Sequence, residues 1–259
     1  MIFGFGKERR RERLRAQPVT PEWHAIVVRN VRLFGKLPPE DQIELLGHAQ
    51  VFLAEKNFEG CGGLELTDEI RLTIAAQACL LLLHRKTDYY PQLTSILVYP
   101  SGYTVPGDRY VGGDIWQEGG EDLLGHTERH LESLVLAWDA AKQGGANPSD
   151  GQNLVLHEFA HQLDFEDYGT DGAPALATRG EYVAWARVMK KEFEALRAAA
   201  EADLPTVLDI YGATNPAEFF AIVTEAFFER PRALREPHPE LYAALGQFFQ
   251  QDPARDFSE

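Results

Sequence analysis

The pentapeptide His157-Glu158-Phe159-Ala160-His161 constrains this chain more than any other feature of its sequence. On a helix, positions i and i+4 share one face, so His157 and His161 present two imidazole nitrogens to a single metal ion. Glu158, one step round the helix, then stands beside the ion, where it takes a proton from water. Zinc suits such a pair. It accepts neutral imidazole, requires a third protein ligand, and keeps its fourth position open when the site is catalytic. Water activated in this way ionises near neutral pH and attacks a peptide carbonyl. The flanks agree with a buried helix. Leu154, Val155 and Leu156 precede the motif and Leu163 follows it, and no charged side chain other than Glu158 lies between Leu154 and Leu163.

A chain of 259 residues with 44% hydrophobic and 11% aromatic residues buries a sizeable core. We expect a domain over residues 21–255 with a helical N-terminal part, preceded by a basic tail or short helix over residues 1–20. No apolar run approaches the roughly 18 residues needed to cross a bilayer, and the opening segment reads as no secretory signal. The two cysteines, Cys61 and Cys79, form no disulfide framework, so the sequence points to a reducing cytoplasm. An intracellular zinc peptidase is expected to be regulated or limited to small peptides. The net charge of −15 argues against direct nucleic-acid binding. The basic run from Lys7 to Arg15 reads as a solvated terminal helix or frayed tail.

Helices are expected over Pro21–Phe34 and Pro38–Lys56, each starting at a proline. A helix entered at Thr67, with Ile70–Leu83 apolar all round, follows. Ser95–Tyr99 reads as a strand stopped by Pro100, Tyr103–Trp116 as short strands and turns, and Leu131–Trp138 as a further strand. Such a strand just before the motif could pair at its edge with an extended peptide. Gly144–Pro148 reads as a loop, with Asn147 or Ser149 as cap of the metal helix, and residues 165–177 as a second loop. Glu181–Ala202, Pro216–Glu229 and Pro239–Gln251 complete the set. Helices, a small mixed β-sheet and more helices make an α+β fold.

Four acidic residues are candidates for the third ligand. Asp164, three residues past His161, is better placed to accept the second N–H of a ligand histidine and fix its tautomer. Asp167 falls six residues past His161, where one peptidase class puts its third ligand, but that class needs a glycine where Asp164 stands. Glu218 and Glu225 lie seven apart on one side of an otherwise apolar helix, and buried carboxylates require partners. Each also has a plainer role. Glu218 stands three residues after Asn215, as in a capping box, and Glu225 could pair with Arg230 or Arg232.

The segments His157–Asp164 and Tyr211-Gly212-Ala213-Thr214-Asn215-Pro216-Ala217-Glu218-Phe219-Phe220 resemble the Mlc titration factor A family. Gly63–Glu69 and Ser95–Pro100 are similar to it as well, so the resemblance spans roughly residues 20–250. Members are cytosolic bacterial zinc peptidases with a zincin-like core similar to the catalytic domain of anthrax lethal factor. The resemblance implies that Glu218 is the third zinc ligand and that Tyr211 is the phenol that hydrogen-bonds the oxyanion. Asp164 and Glu225 are left to support the histidines from behind. It also implies aminopeptidase activity on short peptides. Its second implication is regulatory: members sequester a glucose-responsive transcriptional repressor, which need not use the zinc. A purely structural zinc site is disfavoured, since it would need four protein ligands. Among the remaining histidines (His24, His48, His84, His126, His130, His238) only His126 and His130 share a ligand-like spacing, and they read as surface residues.

Overall fold

The computed structural model describes residues 3–101, 109–110, 116–117 and 132–257. Three helices lead the chain, α1 (Phe3–Arg15), α2 (Pro21–Asn30) and α3 (Pro39–Glu55), followed by strand β1 (Asn57–Gly60). Next come α4 (Asp68–Leu80), β2 (Ser95–Tyr99), β3 (Arg109–Tyr110), β4 (Trp116–Gln117), and β5 (Ser133–Ala137), which runs directly into α5 (Trp138–Ala146). The rest is helical: α6 (Leu154–Asp164), α7 (Arg179–Glu201), α8 (Pro216–Glu229), α9 (Pro231–Arg235), α10 (Pro239–Phe249) and α11 (Pro253–Asp256). The architecture is α+β.

The principal sheet has the order β1-β2-β5, with Phe58 opposite Ile96 and Ile96 opposite Leu134. All three strands are parallel, where the sequence suggests a mixed sheet. The cause is α4, which carries the chain from the end of β1 back to the start of β2 and so forces both strands to run the same way. The antiparallel pairing belongs to β3 and β4, a separate two-stranded ribbon. Ile96, Val98, Leu134 and Leu136 point into the core, as period-two alternation requires. β5 has β2 as its one neighbour among the described residues. It does not lead straight into the metal-motif helix, because α5 intervenes. His126, His130 and Leu131 lie outside the described residues.

Several elements depart from the pattern in sequence, each for a local reason. The expected helix 21–34 breaks at Val31 and resumes as a 3-10 turn, Arg32–Lys36. Just before the break, the Asn30 side chain donates to Glu69 and Thr73 on α4. The expected loop at Gly144–Pro148 is helical through Ala146. Gly145 lies so close to α2 that a Cβ would meet the Asn30 carbonyl at 2.5 Å, so glycine here serves close helix packing. The N-terminal helix is no free tail. Arg11 is buried and pairs with Glu55 of α3 at 2.6 Å and with Asp88 at 2.6 Å. His48 is buried too.

Neither Asn147 nor Ser149 caps the metal helix α6. Asn147 ends α5 and receives the Ser149 hydroxyl at 3.1 Å. The turn through Gly151 (φ +81°) delays the helix to Asn153, whose Oδ1 accepts from Leu156 N at 3.0 Å. Phe159 on the buried face meets Phe52 and Tyr90 edge-on, at 5.6 and 4.8 Å between ring centroids. Asn153→Ala removes this cap and leaves a buried carboxylate oxygen of Glu229 without its donor. Urea unfolding of the variant is expected to show a loss of about 1–3 kcal/mol, with unchanged helical content before the transition.

Candidate metal centre

Helix α6 presents His157 and His161 toward α8, and Glu218 in the first turn of α8 faces them. His157 Nε2 lies 3.0 Å from Glu218 Oε2 and 3.2 Å from His161 Nε2, and His161 Nε2 lies 3.5 Å from the same carboxylate oxygen. Ligands around a tetrahedral zinc ion stand about 3.3 Å apart, given bonds of roughly 2.0–2.1 Å. The three donors are thus spaced to share one ion with little rearrangement. Their chemistry fits as well: two imidazoles and one carboxylate leave one position open.

The capping-box alternative for Glu218 is settled by which group does the capping. Asn215 Oδ1 accepts from Glu218 N at 3.0 Å, while the Glu218 carboxylate turns to the histidines. Burial opposes its charged form, but hydrogen bonds from His157 and His161 outweigh that effect and hold its carboxyl down at about 2. Glu225 does not pair with Arg230 or Arg232. Its Oε1 lies 2.8 Å from His157 Nδ1, and its Oε2 accepts from Asn153 N. A ring with a carboxylate at each nitrogen requires a second proton or a cation in its place. Burial alone would make His157 less basic, yet Glu218 and Glu225 together push it up to about 10. The position is built for positive charge.

Glu158 is half-buried next to His157, and its charge acts on both His157 and Tyr211. Tyr211 sits on a 3-10 turn, Ile210–Ala213, whose start is held by Asp209 Oδ1 accepting from Tyr211 N at 2.8 Å. Its ring centroid is 6.4 Å from that of His157. Burial, then the negative charges of Glu218 and Glu158, push the phenol up to about 12. It stays a neutral O–H donor at ordinary pH.

Asp164 is fully buried and accepts from Gly172 N at 3.0 Å, and burial pushes its carboxyl up. It pins the returning loop, whereas the spacing had suggested a hydrogen bond to a ligand histidine. Gly172 needs to be glycine on two counts: φ is +75°, and a Cβ would meet the Pro216 carbonyl at 2.4 Å. Through this contact the loop after α6 abuts the start of α8, next to Glu218. Asp167 closes a 3-10 turn, Phe165–Asp167, and its side chain lies outside the described residues. Two residues escaped sequence reading, Asn153 and Glu229. Glu229 Oε1 accepts from Asn153 Nδ2 at 3.0 Å and Oε2 from Gly151 N at 3.1 Å. The signal in sequence was a second carboxylate four residues past Glu225 on an apolar helix.

An H-E-x-x-H helix opposed by a glutamate from a second helix brings together three side chains that could hold one metal ion. The sequence model of the glucose-regulated metallo-peptidase M90 family matches residues 5–250, and the chain belongs to that family. At that level it is a metallopeptidase. An uncharacterized protein of Synechocystis sp. is 39% identical over 244 residues, covering 94% of this chain and 89% of its own length. Mlc titration factor A of Yersinia pestis and of Yersinia pseudotuberculosis are each 29% identical over 246 residues, 90% of this chain and 85% of theirs.

Glu229 gives the centre a pH signature. Burial raises its carboxyl from 4.5 to about 8, so between those values the folded state binds more protons than the unfolded state. Stability must then fall as pH rises through that window. Glu229→Gln is expected to flatten the decline, with a slope difference of at most about 1.4 kcal/mol per pH unit. Thermal unfolding of both proteins from pH 4.5 to pH 8.5 measures it; parallel curves would mean that Glu229 is ionised throughout.

Proposed function

We propose that the protein is a cytoplasmic zinc peptidase, with His157, His161 and Glu218 holding the ion. The observation that carries this reading is the convergence of those three donors beside Glu158. Held by these three residues, zinc would polarise the scissile carbonyl and bring the ionisation of water close to neutral pH. Glu158 takes the proton from the attacking water and returns it to the leaving amine. Tyr211 donates its O–H to the carbonyl oxygen as negative charge develops there. Glu225 orients His157 through Nδ1. Asp164 keeps the loop after α6 in place through Gly172. Short peptides are the expected substrates and aminopeptidase action the expected mode, both by resemblance to the Mlc titration factor A family. The edge of β5 that has no neighbour among the described residues offers a place for an extended peptide to add as a strand. Two free thiols, Cys61 and Cys79, and the lack of any helix among the described residues long and apolar enough to cross a membrane support the cytoplasmic reading.

A second reading rests on the name of the Yersinia relatives, Mlc titration factor A. It makes this chain a binder of a transcriptional repressor, by a surface that need not include the ion. The two readings part on one substitution. Glu158→Gln should retain about one zinc ion at this centre and lose at least about a hundredfold in kcat/KM on aminoacyl and short-peptide substrates. Zinc retained with no hydrolysis by wild type either would shift weight to the repressor-binding role. Tyr211→Phe should lower kcat by about 10- to 1000-fold with little change in KM; an equal rise in KM would place the phenol in ground-state binding.

A further inference from the structure

We propose a second divalent-metal site, formed by Asp41, Glu44 and His84 and positioned by His48. It shares no residue with the centre described above. Asp41 and Glu44 lie in the first turns of α3 and His84 in the turn after α4. One ligand atom from each of the three lies within 4.8 Å of the other two.

The hydrogen bonds around the cluster leave the metal-binding atoms pointing at one another. His84 Nδ1 lies 3.0 Å from the Gln250 carbonyl, which only accepts, so Nδ1 carries the proton. Nε2 faces Asp41 Oδ1 at 2.7 Å and Glu44 Oε2 at 3.7 Å. A nitrogen turned to two carboxylates holds either a second proton or a divalent cation between them, and the cation satisfies all three groups at once. The same pattern holds at the His157 centre, where Nδ1 faces Glu225 and Nε2 faces Glu218.

Glu44 is held with one oxygen spare. Its Oε1 accepts from His84 N at 2.9 Å and lies 3.2 Å from His48 Nε2. His48 Nδ1 is 2.7 Å from the Tyr89 hydroxyl, which itself accepts from Arg15 at 3.0 Å. The Tyr89 proton is thereby directed to Nδ1, and His48 Nε2–H donates to Glu44. Oε2 of Glu44 remains for the ion. Supporting partners of this kind are characteristic of metal ligands.

The backbone adds to the case. His84, Tyr89 and Gln250 have φ of +61°, +58° and +56°, a region that non-glycine residues rarely adopt without surrounding constraint. His84 is a member of the cluster, Gln250 ends α10 and accepts from His84 Nδ1, and Tyr89 touches the cluster through His48. The donors also define the ion: one imidazole with two carboxylates suits zinc or a similar borderline divalent ion better than calcium, which takes oxygen ligands throughout. Asp41 is largely buried while His84 and Glu44 are about one-third exposed, which leaves an entry path from solvent.

The test is the zinc stoichiometry of the full-length, chelator-stripped chain, measured by equilibrium dialysis with elemental analysis. Wild type should bind two zinc ions. Asp41→Asn and His84→Asn should each bind one, with affinity at the lost site at least about a hundredfold weaker, and should keep wild-type peptide hydrolysis. Asparagine tolerates the positive φ at position 84, and circular dichroism checks the fold of both variants. His161→Asn should also bind one ion, and adding His84→Asn to it should leave none. One ion in wild type, unaffected by Asp41→Asn and His84→Asn, would overturn the site and make His84 an imidazolium clamped by carboxylates. One ion that is lost with Asp41→Asn but insensitive to His161→Asn would uphold it and remove the His157 centre instead.

Discussion

The centre depends on one buried carboxylate, that of Glu225. It is almost wholly inside the protein and reaches His157 Nδ1 with one oxygen and the backbone N–H of Asn153 with the other. A lone charge in such surroundings would be strongly disfavoured. Here it is met by two donors from the same segment, the N-cap of α6 and the first histidine of the motif. A single side chain thus fixes where the metal helix begins and how its inner histidine is turned. Glu229, one turn further along α8, holds the Asn153 side chain and Gly151 in the same way. The start of α6 is therefore clamped by α8 through two carboxylates rather than by apolar contact alone.

How much of this was legible from the sequence depends on range. His157, Glu158 and His161 are set by helix geometry within five residues, so their grouping could be read directly. Glu218 stands 61 positions from His157, and no periodicity links segments so far apart. Resemblance to a family supplied that pairing, and the structure brings the two side chains together. α8 itself was readable to the residue because Asn215, Pro216 and an unbroken apolar run mark it.

The misreadings share a cause, tertiary contact overruling local preference. Gly144 and Gly145 look like loop residues, but Gly145 permits the close approach of α5 to α2 and Gly144 lies against Asn153. β1 is four residues with a single buried side chain, Phe58, too short to show alternation; it is a strand because β2 pairs with it. Asn153 gave way to Asn147 and Ser149 as the expected cap because its decisive partners, Glu225 and Glu229, lie more than seventy positions away. His84 looked unremarkable because its carboxylate neighbours, Asp41 and Glu44, reach it only when α3 meets the turn after α4.

The three donors of the His157 centre differ in depth. The His157 side chain is 3% exposed, Glu218 18% and His161 26%. On the proposed ligation, an ion leaving for a chelator would detach first from Glu218 and His161, at the rim, while His157 is held by Glu225 behind it. Loading would likewise begin at the rim, so that exchange would follow the motions of two rim side chains rather than opening of the core.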